Sequence, residues 1–161
     1  MVSQPYDAPD DGGEGDHPPE SITDSQIGLP ATLENYSEHT GIAVDVLKGF
    51  GLKEHGSAEG PWVRIPYRDQ HGEDVGIARR RLALGRSSDL GGDFTWKKGD
   101  KPTLYGLDRV ERARKAGYVV VVEGESDCHV LWANGIPAVG TPGAAQIAKH
   151  WKETNADALF A

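Results

Sequence analysis

Apolar residues fall along this chain in blocks whose spacing changes from one block to the next. Residues 1–30 show no periodicity at all and are rich in Pro, Gly, Asp and Glu. They cannot bury enough apolar surface to offset the entropy of ordering, so they read as a disordered acidic tail or linker. In 31–53, Leu33, Tyr36, Ile42, Val46, Leu47 and Phe50 recur at roughly helical spacing. Two short packing helices are predicted there, interrupted at Gly41, with Gly51 supplying a left-handed cap. Residues 61–84 switch to a period of two: Trp62, Arg64 and Pro66 alternate with Val63, Ile65 and Tyr67. The polar DQHGED then makes a turn, and Val75, Ile77 and Leu82 lie in a returning strand, which predicts a β-hairpin. Residues 85–106 form a long glycine-rich connection anchored by Phe94, Trp96 and Tyr105.

The remaining third alternates strand and helix signals. Leu107, Val110, Ala113 and Arg114 predict a helix that Gly117 ends, and the run YVVVV at 118–122 predicts a strand buried on both faces of a parallel sheet. A helix to about Asn134, a break at Gly135 and a second strand at Ile136–Val139 follow. The loop Gly140-Thr141-Pro142-Gly143 leads into a helix near Ala144–Lys152, and Ala158–Ala161 reads as a third strand beginning. The fold class is therefore α/β, a β-α-β-α-β parallel sheet preceded by a small basic β-hairpin and α+β region. Three stretches result: an acidic tail at 1–30, the helical and hairpin region at 31–106, and the parallel unit at 107–161.

Charge changes this picture. The net charge of −8 over 161 residues hides a strong asymmetry. Residues 61–118 hold 13 Lys+Arg against 8 Asp+Glu, while residues 1–60 hold 2 against 12. Such a split fits a polyanion-facing module beside an acidic tail, or a solvated basic face. The candidate nucleic-acid-binding cations in 61–118 are Arg64, Arg68, Arg79, Arg80, Arg81, Lys97, Lys98 and Lys101, with Trp62 and Tyr67 nearby. Phosphate contact with base stacking suits them, and so does an edge strand kept soluble by charge. No run approaches the ~18 apolar residues of a membrane span, and the acidic start has no apolar run of a signal peptide. The lone cysteine, Cys128, excludes a disulfide framework or a Cys-based zinc finger within the chain and reads as a small buried side chain. A reducing, cytoplasmic location follows. The six histidines show no ligand spacing; His129 lies near the candidate site, and a surface helix position explains it equally well.

In parallel sheets of this kind the site lies beyond the carboxyl ends of the strands. Glu123 stands there, at the end of the valine run, where an acid has no packing purpose. It can take or give a proton or ligate a divalent cation, with Asp127 as a weaker second ligand. Ser126 or Asp127 is expected to cap the next helix. Gly124, Thr141 and Gly143 form a candidate anion loop, Gly143 preceding a helix N-terminus.

The segment YVVVVEGESDCHVLWANGIPAVGTPGA resembles the opening half of a Toprim domain, closest to those of DnaG-type primases and phage or plasmid primase-helicases. Upstream, PWVRIPYRD…RRRL and TWKKGDKPTLYGL resemble, more loosely, the basic region before Toprim in these proteins. The resemblance implies metal-dependent nucleotidyl transfer that makes RNA primers on single-stranded DNA. Glu123 would be the family's catalytic carboxylate, serving as general base or metal-associated group, and Mg2+ or Mn2+ the cofactor. Nucleotides and single-stranded DNA would be partners, with a helicase domain in the same polypeptide or on a partner. The family's second motif, an Asp-x-Asp pair closing the third strand, has no counterpart in this chain, and neither has the zinc module. The chain is therefore expected to be a fragment, weak in metal binding and inactive alone. Another Toprim enzyme such as a nuclease, or a non-catalytic nucleic-acid-binding module, is the alternative.

Overall fold

The valine run and the alternating hairpin generate two different sheets that share one core. The structure is a computed structural model that describes residues 28–86 and 91–161. Strand β1 (Leu29–Pro30) pairs antiparallel with β5 (Ala83–Leu84). Helix α1 (Leu33–Thr40) starts at Thr32, whose Oγ1 accepts from the Asn35 amide at 3.0 Å, and ends on Gly41 at φ 70°. Helix α2 (Val44–Gly49) follows, so the two predicted helices stand.

The hairpin is the centre of a four-stranded antiparallel sheet ordered β2 (Lys53–Ser57), β3 (Gly60–Arg68), β4 (Asp74–Arg81), β6 (Phe94–Trp96). Alternation places Val63, Ile65 and Tyr67 in the core at 0% exposure. Part of the glycine-rich connection is thus β6, in register with β4 through Arg79↔Trp96, Arg80↔Thr95 and Arg81↔Phe94.

A 3-10 turn at Leu107–Arg109 leads into α3 (Val110–Ala116), which Gly117 caps in the left-handed region. Strand β7 (Val120–Val122) pairs in parallel with β8 (Ala138–Gly140), and α4 (Glu125–Ala133) joins them. The mixed α/β class with a small parallel sheet is the observed one. Two details differ from the sequence reading. The strand is shorter than 118–122 and half open: Tyr118 is 53% exposed and Val121 39%, because among the described residues β7 has β8 as its one ladder partner. The expected third strand at Ala158–Ala161 is helical instead. After a 3-10 turn at Ala144–Gln146 come α5 (Ile147–Glu153) and α6 (Ala156–Phe160). Ala156, Leu159 and Phe160 are spaced for a helical face, Phe160 stacks on Trp151 at 5.7 Å, and the Trp151 Nε1–H donates to Asp157 Oδ1 at 2.9 Å.

One cluster of buried side chains runs from Ala31 through Tyr67 and Tyr105 to Trp132 and Ala138, so residues 31–106 and the parallel unit pack on a common core. Gly106 permits this seam. At φ +88° it lies under Trp132, whose Cζ2 would be 2.7 Å from a Cβ built there. The acidic tail reading falls outside the described residues, save its end at 28–30. Among the described residues no helix is long and apolar enough to cross a membrane.

Candidate functional site

Glu123 and Gly124 follow directly on β7, so the sheet delivers them to its carboxyl end. There a cleft of about 380 Å³ is lined by Arg79, Phe94, Glu123, Gly124, Glu125, Ser126, Asp127, Pro142 and Gly143. The acid loop thus shares the cleft with Arg79 of the basic sheet. Glu123 and Asp127 are exposed to the cleft.

The pleat separates the three adjacent arginines. Arg79 and Arg81 lie on the core-side face, opposite Ile65 and Val63, and Arg80 lies on the outer face opposite Arg64. The Arg79 guanidinium sits 5.0 Å from the Phe94 ring centre and 4.7 Å from that of Trp96. Its buried Nε has no hydrogen-bond partner among the described residues. Two rings therefore hold a cation at the cleft wall with donor capacity to spare. Arg81 is 4% exposed and otherwise engaged: it donates to Ser126 Oγ at 2.9 Å and to the Ala83 carbonyl at 3.2 Å, and it pairs with Asp93 at 3.4 Å.

The loop is anchored from below. Glu125 is 4% exposed, and the Tyr67 hydroxyl donates to its Oε1 at 2.6 Å. Burial, and then the Glu125 charge, push the Tyr67 phenol well above its ordinary range. The expected side-chain cap at Ser126 or Asp127 does not form. Gly124 occupies the N-cap position without a side-chain bond, and Ser126 accepts from Arg81 instead. Gly140 lets β8 close against this loop, since a Cβ there would meet the Gly124 carbonyl oxygen at 3.0 Å and Cys128 Sγ at 3.1 Å.

Of the anion-loop candidates, Gly124 and Gly143 line the cleft. Thr141 is 1% exposed and directs its hydroxyl to the Gly143 carbonyl at 3.3 Å. Arg64 forms a bidentate pair with Asp74, at 2.8 and 3.1 Å, on the outer face, and holds that carboxyl below its ordinary range. Arg68 donates to the Gly72 carbonyl in the hairpin turn at 2.8 Å. Lys97, Lys98 and Lys101 are exposed beyond β6.

His129 is a correction to the surface reading. It is fully buried, with Tyr36 Oη 2.8 Å from Nδ1 and Tyr105 Oη 2.7 Å from Nε2. Its place was legible in the spacing 125, 128, 129, 132, a single helical stripe, but two polar residues disguise that stripe as a solvent face.

The magnesium or manganese expectation is also corrected. Among the described residues no three His, Cys, Asp or Glu side chains gather where they could hold a metal ion. Glu123 and Asp127 find no third donor, because Glu125 is turned into the core toward Tyr67.

The class is one of fold: a mixed α/β chain whose fold is similar to that of a solved primase. The solved structure that carries this likeness is the Aquifex aeolicus primase, zinc binding and RNA polymerase domains, with a TM-score of 0.53 and 17% sequence identity. The match covers 72% of this chain and 39% of that one, so this chain spans well under half of the matched protein's length. No family model and no curated protein matches the chain.

Proposed function

We propose that this chain is a nucleic-acid-engaging module of the primase lineage, with the first half of a Toprim-type unit at 107–161, acting in primer synthesis on single-stranded DNA. The observation that carries the reading is the cleft. An acid at the carboxyl end of a parallel strand shares it with an arginine presented by a basic sheet, in a chain whose fold matches that of a primase. In nucleotidyl transfer, Glu123 would accept the proton of the attacking 3′-hydroxyl as the new P–O bond forms and pyrophosphate leaves. Arg79 would meet the phosphate charge, its guanidinium already oriented by Phe94 and Trp96. Glu125, Tyr67, Ser126 and Arg81 would hold the acid loop in place.

The test is a binding titration of fluorescent single-stranded DNA at several salt concentrations. Arg79→Glu is expected to weaken binding about tenfold or more and to lower the salt slope by about 1–2. Glu123→Gln is expected to bind as well as the parent chain. An Arg79→Glu chain that binds normally would remove the cleft from the reading. A second reading, a non-catalytic nucleic-acid-binding module, is favoured by Glu123 and Asp127 having no third metal-type donor beside them among the described residues. It shares the binding results and differs in making Glu123 dispensable for synthesis by the complete protein.

A further inference from the structure

The outer face of the four-stranded sheet carries chemistry that the cleft does not use. Register aligns Lys53, Arg64 and Arg80 in one row across β2, β3 and β4. Like charges directly opposite one another destabilise a sheet, and Asp74 pairs with Arg64 alone. Beside this row, His55 stacks on Trp62 with ring centres 4.5 Å apart and planes 16° apart, and the Arg80 guanidinium lies 5.0 Å from the Trp62 ring. The result is a column of imidazole, indole and guanidinium that is open at His55, on the edge strand of the sheet. A shallow trough of about 130 Å³ runs alongside, between Trp62, Arg64, Arg80 and Lys97. Gly76 and Ala78, which offer little bulk, and Asp100 complete its lining.

We infer that this outer face is a second docking track for single-stranded nucleic acid, separate from the Glu123 cleft, in which bases extend the His55–Trp62 column and phosphates meet Arg80 and Lys97. The inference rests on the nucleic-acid reading of the chain and adds a location to it. A single strand fits where a duplex does not, because its bases have free π-faces to stack. The charge row supplies the complementarity: Asp74 already meets Arg64, so a polyanion would neutralise Lys53 and Arg80 on either side of it. The pleat puts this face on the opposite side of the sheet from Arg79, so a strand on it leaves the cleft clear.

The test uses a fluorescent oligo-dT and the full chain, with thermal melts as a folding check. Trp62→Ala is expected to weaken binding about tenfold, and Trp62→Phe to retain most of it. Arg80→Glu is expected to weaken binding and lower the salt slope by about 1 to 2. Crosslinking of the unmodified chain to an iodouracil oligonucleotide needs no variant; adducts at His55 or Trp62 support the outer track. If Arg79→Glu weakens binding while the Trp62 and Arg80 variants bind normally and adducts map to Trp96, the outer track is overturned and the cleft reading survives. If the parent chain binds no oligonucleotide, both fall.

Discussion

His129 shows what a single side chain does in this core. A neutral imidazole has one N–H and one lone pair, and the hydroxyls of Tyr36 and Tyr105 can serve either role, so both ring nitrogens are satisfied while fully buried. Burial, reinforced by Arg109 and Arg81, pushes the His129 pKa from 6.5 down to about 3. The folded state therefore resists a proton that the unfolded chain takes up readily below pH 6.5. The stability tied to this group is complete above that pH and is lost as pH falls toward 3, by at most about 1.4 kcal/mol per pH unit. Melting followed from pH 7 to pH 4 should show this acid limb, and a flat profile would show that the histidine ionises without resistance. His129→Phe should remove the limb but leave two buried hydroxyls unpaired, costing about 2–4 kcal/mol by denaturant titration. At the neighbouring contact, Tyr67→Phe strips Glu125 of its hydroxyl donor and should cost about 1–3 kcal/mol.

At the level of elements, the parts with one strong period were legible and the short or mixed ones were not. Alternation at Val63, Ile65 and Tyr67 identified β3 because one face of that strand is wholly buried. The valine run identified β7, though not its open side, since a run of β-branched residues reports strand tendency and says nothing of how many neighbours the strand has. Strand β6 has three residues, and its meaning lies in distant partners: Phe94 and Trp96 are anchors in the sequence, but only the register with β4 makes them a clamp on Arg79. The last segment shows the limit of periodicity over five residues. ADALF fits a strand or a helix, and packing on Trp151 and Leu104 decides for the helix. Glu123 was legible as a candidate because it interrupts an apolar strand end, whereas Arg79 and Phe94, which share the cleft with it, come from a sheet earlier in the chain. The seam between the two sheets can be probed at Gly106. Gly106→Ala combines a positive φ with a Cβ 2.7 Å from Trp132 and should cost about 2 kcal/mol or more, read as a lowered melting temperature.

The whole molecule joins a basic antiparallel sheet to an acid-bearing parallel pair through one buried network. Tyr67 reaches Glu125, Arg81 reaches Ser126, Tyr36 and Tyr105 meet at His129, and the Tyr105 amide donates to the Gly140 carbonyl at 2.8 Å. Cations and the acid loop are thereby held on one framework, although the chain as a whole is acidic. The net charge therefore says little about its partners, because 13 of its 17 basic residues lie in 61–118. The proposed function depends on that framework putting Glu123 to chemical use. The most direct measurement is primer synthesis by the complete protein carrying Glu123→Gln, with single-stranded DNA binding measured on the same preparation. Loss of synthesis by about a hundredfold or more, with binding retained, is the result expected of a general base. Unchanged synthesis would contradict the account and leave the chain a binding module.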